Sequence, residues 1–226
     1  MGKVIKALIP VRAGSQRVKN KNIKPFAGSS LLEIKIKQMQ RIKEIDGVIV
    51  NSDSEEMLNL AQSLGAQIVR RDNYYATSEV SANDFYQNIA ENFDADVLLL
   101  SNVTSPMIKD ETIIDVISKF ENCGGEYDSV TTATPVKEFL WKNGEALNYD
   151  PRKKPRSQDL PEILSLNHAV GIMNRKTMIK AKDIVGFKPL LVPISLEESV
   201  DIDNEIDFEF AEFMYKKYRM NDLCQI

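Results

Sequence analysis

A single histidine and two cysteines among 226 residues exclude most of the catalytic apparatus built on imidazole and thiolate. His168, standing alone, rules out multi-histidine zinc sites and leaves any Ser-His-Asp triad dependent on one ring. Cys123 and Cys224 have no Cys-x-x-Cys spacing and no secretory context, so both are expected as free thiols. No apolar run approaches the roughly 20 residues that cross a bilayer, and residues 1–11 are too short and polar-interrupted for a signal peptide. A cytoplasmic protein with no membrane partner is expected. Charge of one sign is also missing: 29 Lys and Arg face 33 Asp and Glu, and the net charge of −4 supplies no general field for nucleic acid. Any anion site must therefore be local, and any metal must be held by carboxylates.

At roughly 150 residues per domain, the length predicts one domain with at most an appendage. A composition of 43% hydrophobic and 27% charged residues is enough to bury a core. Residues 4–11 read as a buried strand feeding a long polar loop; residues 31–42 follow with mostly helical spacing behind Ser29 or Ser30 as cap, and 48–50 give a second strand. The unit then repeats. Ser54 caps a helix to Leu64 that Gly65 ends, 67–69 is a strand, 81–93 a helix and 97–100 a strand. After the break at Thr104-Ser105-Pro106, Asp110 is positioned to cap a helix reaching Phe120, and 129–134 is a β-branched strand. This alternation predicts an α/β sandwich with a largely parallel sheet. Over about 136–166 it lapses into Phe139-Leu140-Trp141, the turn Lys142-Asn143-Gly144 and a run dense in Pro, Lys and Arg, which reads as a hairpin and an inserted arm. Strands at 169–173 and 190–192, a helix near 177–181 and a last helix from about 204 to 218 complete a single domain spanning 1–226.

Open α/β sheets bind ligands at the carboxyl ends of their strands. The segment leaving the first strand holds Arg12, Gly14, Ser15, Arg17, Lys21 and Asn22. Backbone amides around Gly14 suit phosphate oxygens, while Arg12, Arg17 and Lys21 suit the roughly four negative charges of a nucleoside triphosphate. The spacing is neither Gly-x-x-x-x-Gly-Lys-Ser/Thr nor Gly-x-Gly-x-x-Gly, and a solvated basic loop is the competing reading. Near the last helix, Asp201 and Asp203 share a face if the chain is extended, and two carboxylates with substrate phosphates hold Mg²⁺. The competing reading there is helix capping by Asp203 or Asn204, with Asp207 in the first turn.

Arg12-Ala13-Gly14-Ser15, Lys21-Asn22, Thr104-Ser105-Pro106, Tyr127-Asp128-Ser129-Val130, Pro155-Arg156-Ser157-Gln158-Asp159 and Ser199-Val200-Asp201-Ile202-Asp203 occur in that order. In this the chain resembles the acylneuraminate cytidylyltransferases over nearly its whole length. The resemblance implies a Rossmann-like, GT-A-like nucleotidyltransferase sandwich of three layers, a homodimer that exchanges the arm, Mg²⁺ as cofactor, and CTP joined to a nonulosonic acid with release of pyrophosphate. It implies that Arg12, Ser15, Lys21 and Asn22 meet CTP, that Arg71 and the Ser81 region lie near the nucleotide, and that Asp201 and Asp203 hold the metal. Asn102, Arg156 and Asn167 fall near the sugar acid, with Thr104 at the strand end beside them. The chain departs from the family where Gln16 replaces Lys, Asn102-Val103 replaces Gln-Pro, Ile108 replaces Arg, and Asn167-His168-Ala169 replaces Asn-Gly-Ala; His168 either contacts the sugar or is structural.

The reaction so implied is attack of an acceptor hydroxyl on the α-phosphorus, driven by positioning and charge neutralisation without a protein nucleophile. The proton acceptor is left open between Asp201 and metal-bound water. Two rivals stand beside this reading, a transferase for another acid such as 3-deoxy-octulosonate and a catalytically silent nucleotide-binding protein.

Overall fold

A computed structural model describes residues 3–15, 17–77 and 79–219. In chain order these form β1 (Ile5–Pro10), β2 (Pro25–Phe26), β3 (Ser29–Ser30), α1 (Leu31–Arg41), β4 (Gly47–Ser52), α2 (Glu55–Ser63), β5 (Gln67–Arg70), α3 (Ala82–Glu91), β6 (Val97–Ser101) and α4 (Asp110–Asn122). They continue as β7 (Ser129–Val136), β8 (Trp141–Lys142), β9 (Glu145–Ala146), β10 (Ile163–Asn174), α5 (Arg175–Ala181), β11 (Pro189–Pro193) and α6 (Glu205–Tyr218). Cys224 and Gln16 lie outside the described residues; Cys123 is a free thiol.

The main sheet runs β11-β7-β10-β6-β1-β4-β5. Only β10 is antiparallel to its neighbours. The central strands have apolar side chains on both faces, as strands covered on both sides must. Ala7, Ile9, Val48, Val50, Val97 and Leu99 pack with α1, α2, α4 and α6 on one face. Leu8, Ile49, Leu98 and Leu100 pack with α3 and α5 on the other, which completes three layers. From β1 the chain winds outward through β4 to β5 and then crosses back to β6 on the opposite side of β1. The carboxyl ends of β1 and β6 therefore open a crevice where the winding reverses.

The caps follow the serines: Ser30, Ser54 and Ser81 each accept a backbone amide at the start of α1, α2 and α3. Asp110 does not cap. Lys109 takes the cap position of α4, and the Asp110 carboxylate is drawn to α1, where it accepts from Arg41 at 2.5 and 2.8 Å and from Gln38 at 3.0 Å. A charge-assisted fork outcompetes a local cap bond.

The arm is shorter than the sequence pattern indicates. Val136 and residues 163–166 pair in the main sheet, from Ile163 opposite Val136 to Leu166 opposite Ala133, and the arm proper is 137–162. Its hairpin of β8 and β9 turns through Asn143 and Gly144, both at positive φ. Phe139 and Trp141 contact Tyr149, with ring centroids 4.8 and 6.0 Å apart, and Trp141 remains 54% exposed within the chain.

β10 starts six residues before the strand read from the sequence because a bulge interrupts it between Leu166 and Gly171. At the bulge Asn167 replaces ladder bonds with side-chain bonds. It accepts from Thr132 Oγ1 at 2.7 Å and from the Ala169 amide at 3.2 Å, and donates to Thr134 Oγ1 at 3.0 Å. His168 next to it adopts φ +53, the left-handed region that glycine enters freely.

Candidate active site

A cavity of about 690 Å³ occupies the crevice at the ends of β1 and β6. Residues 10–15 with Arg17, Lys21 and Asn22 line one side, residues 102–104 a second, and Ala76, Thr77 and Asp203 the remainder. The loop after β1 is held in place by its own polar groups. Buried Asn22 donates to Arg12 O at 3.1 Å, Arg12 Nη1 donates to Ala76 O at 3.0 Å, and Gly14 turns at φ +69. The Ala13 amide, one of those expected to face phosphate, instead donates to Asp53 Oδ1 at 2.9 Å.

Lys21 links the two halves of the site. Its Nζ donates to Ile202 O at 2.5 Å. Burial lowers the Lys21 pKa below 10.5, Asp201 and Asp203 counteract this, and Arg17 adds to the depression. Burial thus makes the Lys21 cation costly to hold, and a bound triphosphate would favour its charged form and offset that cost.

Ile202 is fully buried between exposed Asp201 and Asp203, as the extended-chain reading requires. The capping reading holds for Asn204 and Asp207 and not for the Asp203 side chain: Asn204 accepts from the Ile206 and Asp207 amides, and Asp207 Oδ2 accepts from the Asp203 and Asn204 amides at 3.0 Å. The Asp203 carboxylate meets Arg17 Nη2 at 2.9 Å. With side chains 69% and 55% exposed, that pair stabilises little and exchanges readily for other charges. Among the described residues no three Asp, Glu, His or Cys side chains converge, so the available donor set is this carboxylate pair. It fits a hard cation that keeps most of its waters and takes its other oxygens from phosphates.

Asp201, unlike Asp203, stands outside the cavity lining, and so do the remaining residues singled out by sequence. Arg71 is buried behind it, donating to Asn51 Oδ1 at 2.7 Å and Asn51 O at 3.1 Å with its guanidinium 4.5 Å from the Phe85 ring. Burial lowers its pKa to about 10, while Asp53 pulls it up and Arg12 pushes it down. Ser81 caps α3 and donates to Asp84. Asn167 is committed to the bulge, and His168 enters through its backbone, whose carbonyl accepts from Asn102 Nδ2 at 3.0 Å. Arg156 sits on the exposed arm paired with Asp159 at 2.9 Å. Sequence reasoning missed Asn51 and Asp53 at the end of β4, which hold Arg71 and Ala13. Their position at a strand end was the available signal; no motif marks them.

A family model described as cytidylyltransferase matches residues 6–224. The chain belongs to that family. N-acylneuraminate cytidylyltransferase of Oncorhynchus mykiss is 31% identical over 217 residues, which are 92% of this chain and 49% of that protein. The chain thus spans about half the length of that relative. CMP-N,N'-diacetyllegionaminic acid synthase of Legionella pneumophila is 30% identical over 92% of this cytidylyltransferase chain and 94% of its own. Pseudaminic acid cytidylyltransferase of Campylobacter jejuni is 27% identical over 92% and 95%. A CMP:2-keto-3-deoxy-manno-octonic acid synthetase solved with CTP shares the fold, with a TM-score of 0.70 at 14% identity over 95% of this chain and 99% of that one.

Proposed function

We propose that this cytidylyltransferase joins CTP to a nonulosonic acid, forming the CMP-linked acid and releasing pyrophosphate. The observation that carries the reading is the convergence of Arg12, Arg17 and Lys21 with Asp203 in one cavity at the switch point of the sheet. An acceptor hydroxyl oxygen attacks the α-phosphorus, the bond from that phosphorus to the β-phosphate bridging oxygen breaks, and the hydroxyl proton is lost. The cations hold the triphosphate in line and take up charge as the pyrophosphate leaves. Asp201 and Asp203 are the residues that would hold Mg²⁺, which when bound supplies further charge neutralisation on the phosphates. Relatives named for sialic, pseudaminic and legionaminic acids support an acceptor of that class over 3-deoxy-octulosonate.

Pyrophosphate release measured across a panel of sugar acids with each nucleoside triphosphate tests this. Turnover confined to CTP and nonulosonic acids is expected; turnover with 3-deoxy-octulosonate alone would reassign the acceptor.

The exposed aromatic hairpin supports a homodimer in which each arm, carrying Arg156, reaches the partner's cavity. Sedimentation at micromolar concentration is expected to give a dimer, and a monomer would sink the exchange. Arg156 then meets the acceptor carboxylate with a two-pronged guanidinium, a geometry lysine lacks. Arg156→Lys is expected to raise KM for the sugar acid about tenfold or more while KM for CTP barely changes. Equal changes for both substrates would return Arg156 to the arm surface.

A further inference from the structure

Lys35 is a lysine with no exposed surface, set in the apolar face of α1 among Leu31, Leu32 and Ile36. Fully buried charges are costly, and an aliphatic residue of similar length would fill the space without that cost. Its Nζ donates to Gln38 Oε1 at 2.9 Å and to the backbone carbonyl of Ser105 at 3.0 Å. Two neighbouring carbonyls are held the same way: Gln38 Nε2 donates to Ile108 O at 2.8 Å and Arg219 Nη1 to Met107 O at 3.2 Å. The turn after β6 is thus fastened from beneath by side chains of α1 and the end of α6.

That turn reaches the cavity within a few residues. The Ser105 amide donates to Asn102 O at 3.3 Å, Thr104 O accepts from the Ile202 amide at 2.9 Å, and Ile202 O accepts from Lys21. Asn102 and Thr104 line the cavity, and Ile202 separates the two aspartates.

We propose that Lys35 is a positioning residue for the active site: by holding the Ser105 carbonyl it sets the Asn102–Thr104 wall and, through Thr104 and Ile202, the segment before α6 that carries Asp201 and Asp203. Burial, with Arg219 and then Arg41 adding to it against Asp110, lowers the Lys35 pKa to about 7. The role does not need the charge, since a neutral amine keeps two N–H groups for Gln38 and Ser105.

The inference rests on the cytidylyltransferase reading for its kinetic arm and on nothing but the fold for its exchange arm. In Lys35→Met, hydrogen exchange at the Ser105 and Ile202 amides is expected to accelerate about tenfold or more while β1 amides stay protected. With CTP and an accepted sugar acid, kcat is expected to fall about tenfold with KM for CTP changing far less, and Lys35→Gln, which keeps an N–H donor, is expected to recover part of the loss. Unchanged exchange and unchanged kcat would overturn the proposal, as would exchange raised uniformly across all strands. If the methionine variant does not fold, Lys35→Leu, which also lacks a donor for the Ser105 carbonyl, is read by the same two measurements, and wild-type values for both would overturn the proposal. A wild-type protein that transfers CMP to no acid defeats the proposed function alone, and the exchange result then decides the role of Lys35.

Discussion

Lys21→Ala is expected to lower kcat/KM for CTP about a hundredfold, equivalent to about 2.7 kcal/mol of lost transition-state stabilisation at 1.36 kcal/mol per tenfold. Two losses combine. The cavity gives up a cation whose charge-assisted contacts are worth about 1.5–3 kcal/mol, and the loop after β1 loses its bond to Ile202 O. Lys19, exposed on the same loop but outside the cavity lining, is the control, and Lys19→Ala should leave kcat/KM near wild type. The pH profile adds a second check. Burial lowers the Lys21 pKa below 10.5 and the charged form is the one that meets phosphate. Activity should therefore hold at lower pH and be lost as pH rises through that depressed value, giving kcat/KM an alkaline limb that starts below 10.5. Unchanged CTP kinetics in Lys21→Ala would make the loop an ordinary solvated one.

Asp203→Ala is expected to reduce kcat at least about a hundredfold at saturating Mg²⁺ while the thermal midpoint hardly moves, because its exposed pairing with Arg17 is worth about 1 kcal/mol at most. Asp207→Ala should do the reverse. Its carboxylate closes the capping box of α6, a loss of about 0.5–2 kcal/mol in stability, yet it lies outside the cavity lining and turnover should persist. Steady-state kinetics across a Mg²⁺ titration, with thermal unfolding of both variants, separates the two roles. Near wild-type turnover in Asp203→Ala would remove it from the metal site.

Much of the fold was legible because its signals are local. The apolar runs of β1, β4 and β6 and the capping serine Ser54 declare themselves within four or five residues, and the cap of α1 is narrowed to Ser29 or Ser30, of which Ser30 serves. What failed depended on distant partners. Asp110 reads as a cap until Arg41, 69 positions earlier, claims its carboxylate. The first half of β10 is hidden because the bulge at Asn167 breaks the period that identifies a strand. Lys35 carries no local sign of its burial, since Ser105, whose carbonyl it holds, lies 70 positions away. In the site, Arg12 and Lys21 were found because a basic loop after a first strand is a positional signal. Asn51 and Asp53 were not, because an amide and a carboxylate that only hold other groups leave no spacing to recognise.

The sheet ends on β11, whose apolar Leu190-Leu191-Val192 core is bracketed by Pro189 and Pro193. Proline has no amide hydrogen, so both ends of this outer strand are mute as donors, and the donors between them are partly consumed by the parallel pairing with β7. A foreign strand arriving at this border finds too short a row of amides to zip onto. The prolines therefore act as gatekeepers against strand-on-strand stacking of one molecule on the next at a border whose two leucines are only half-buried.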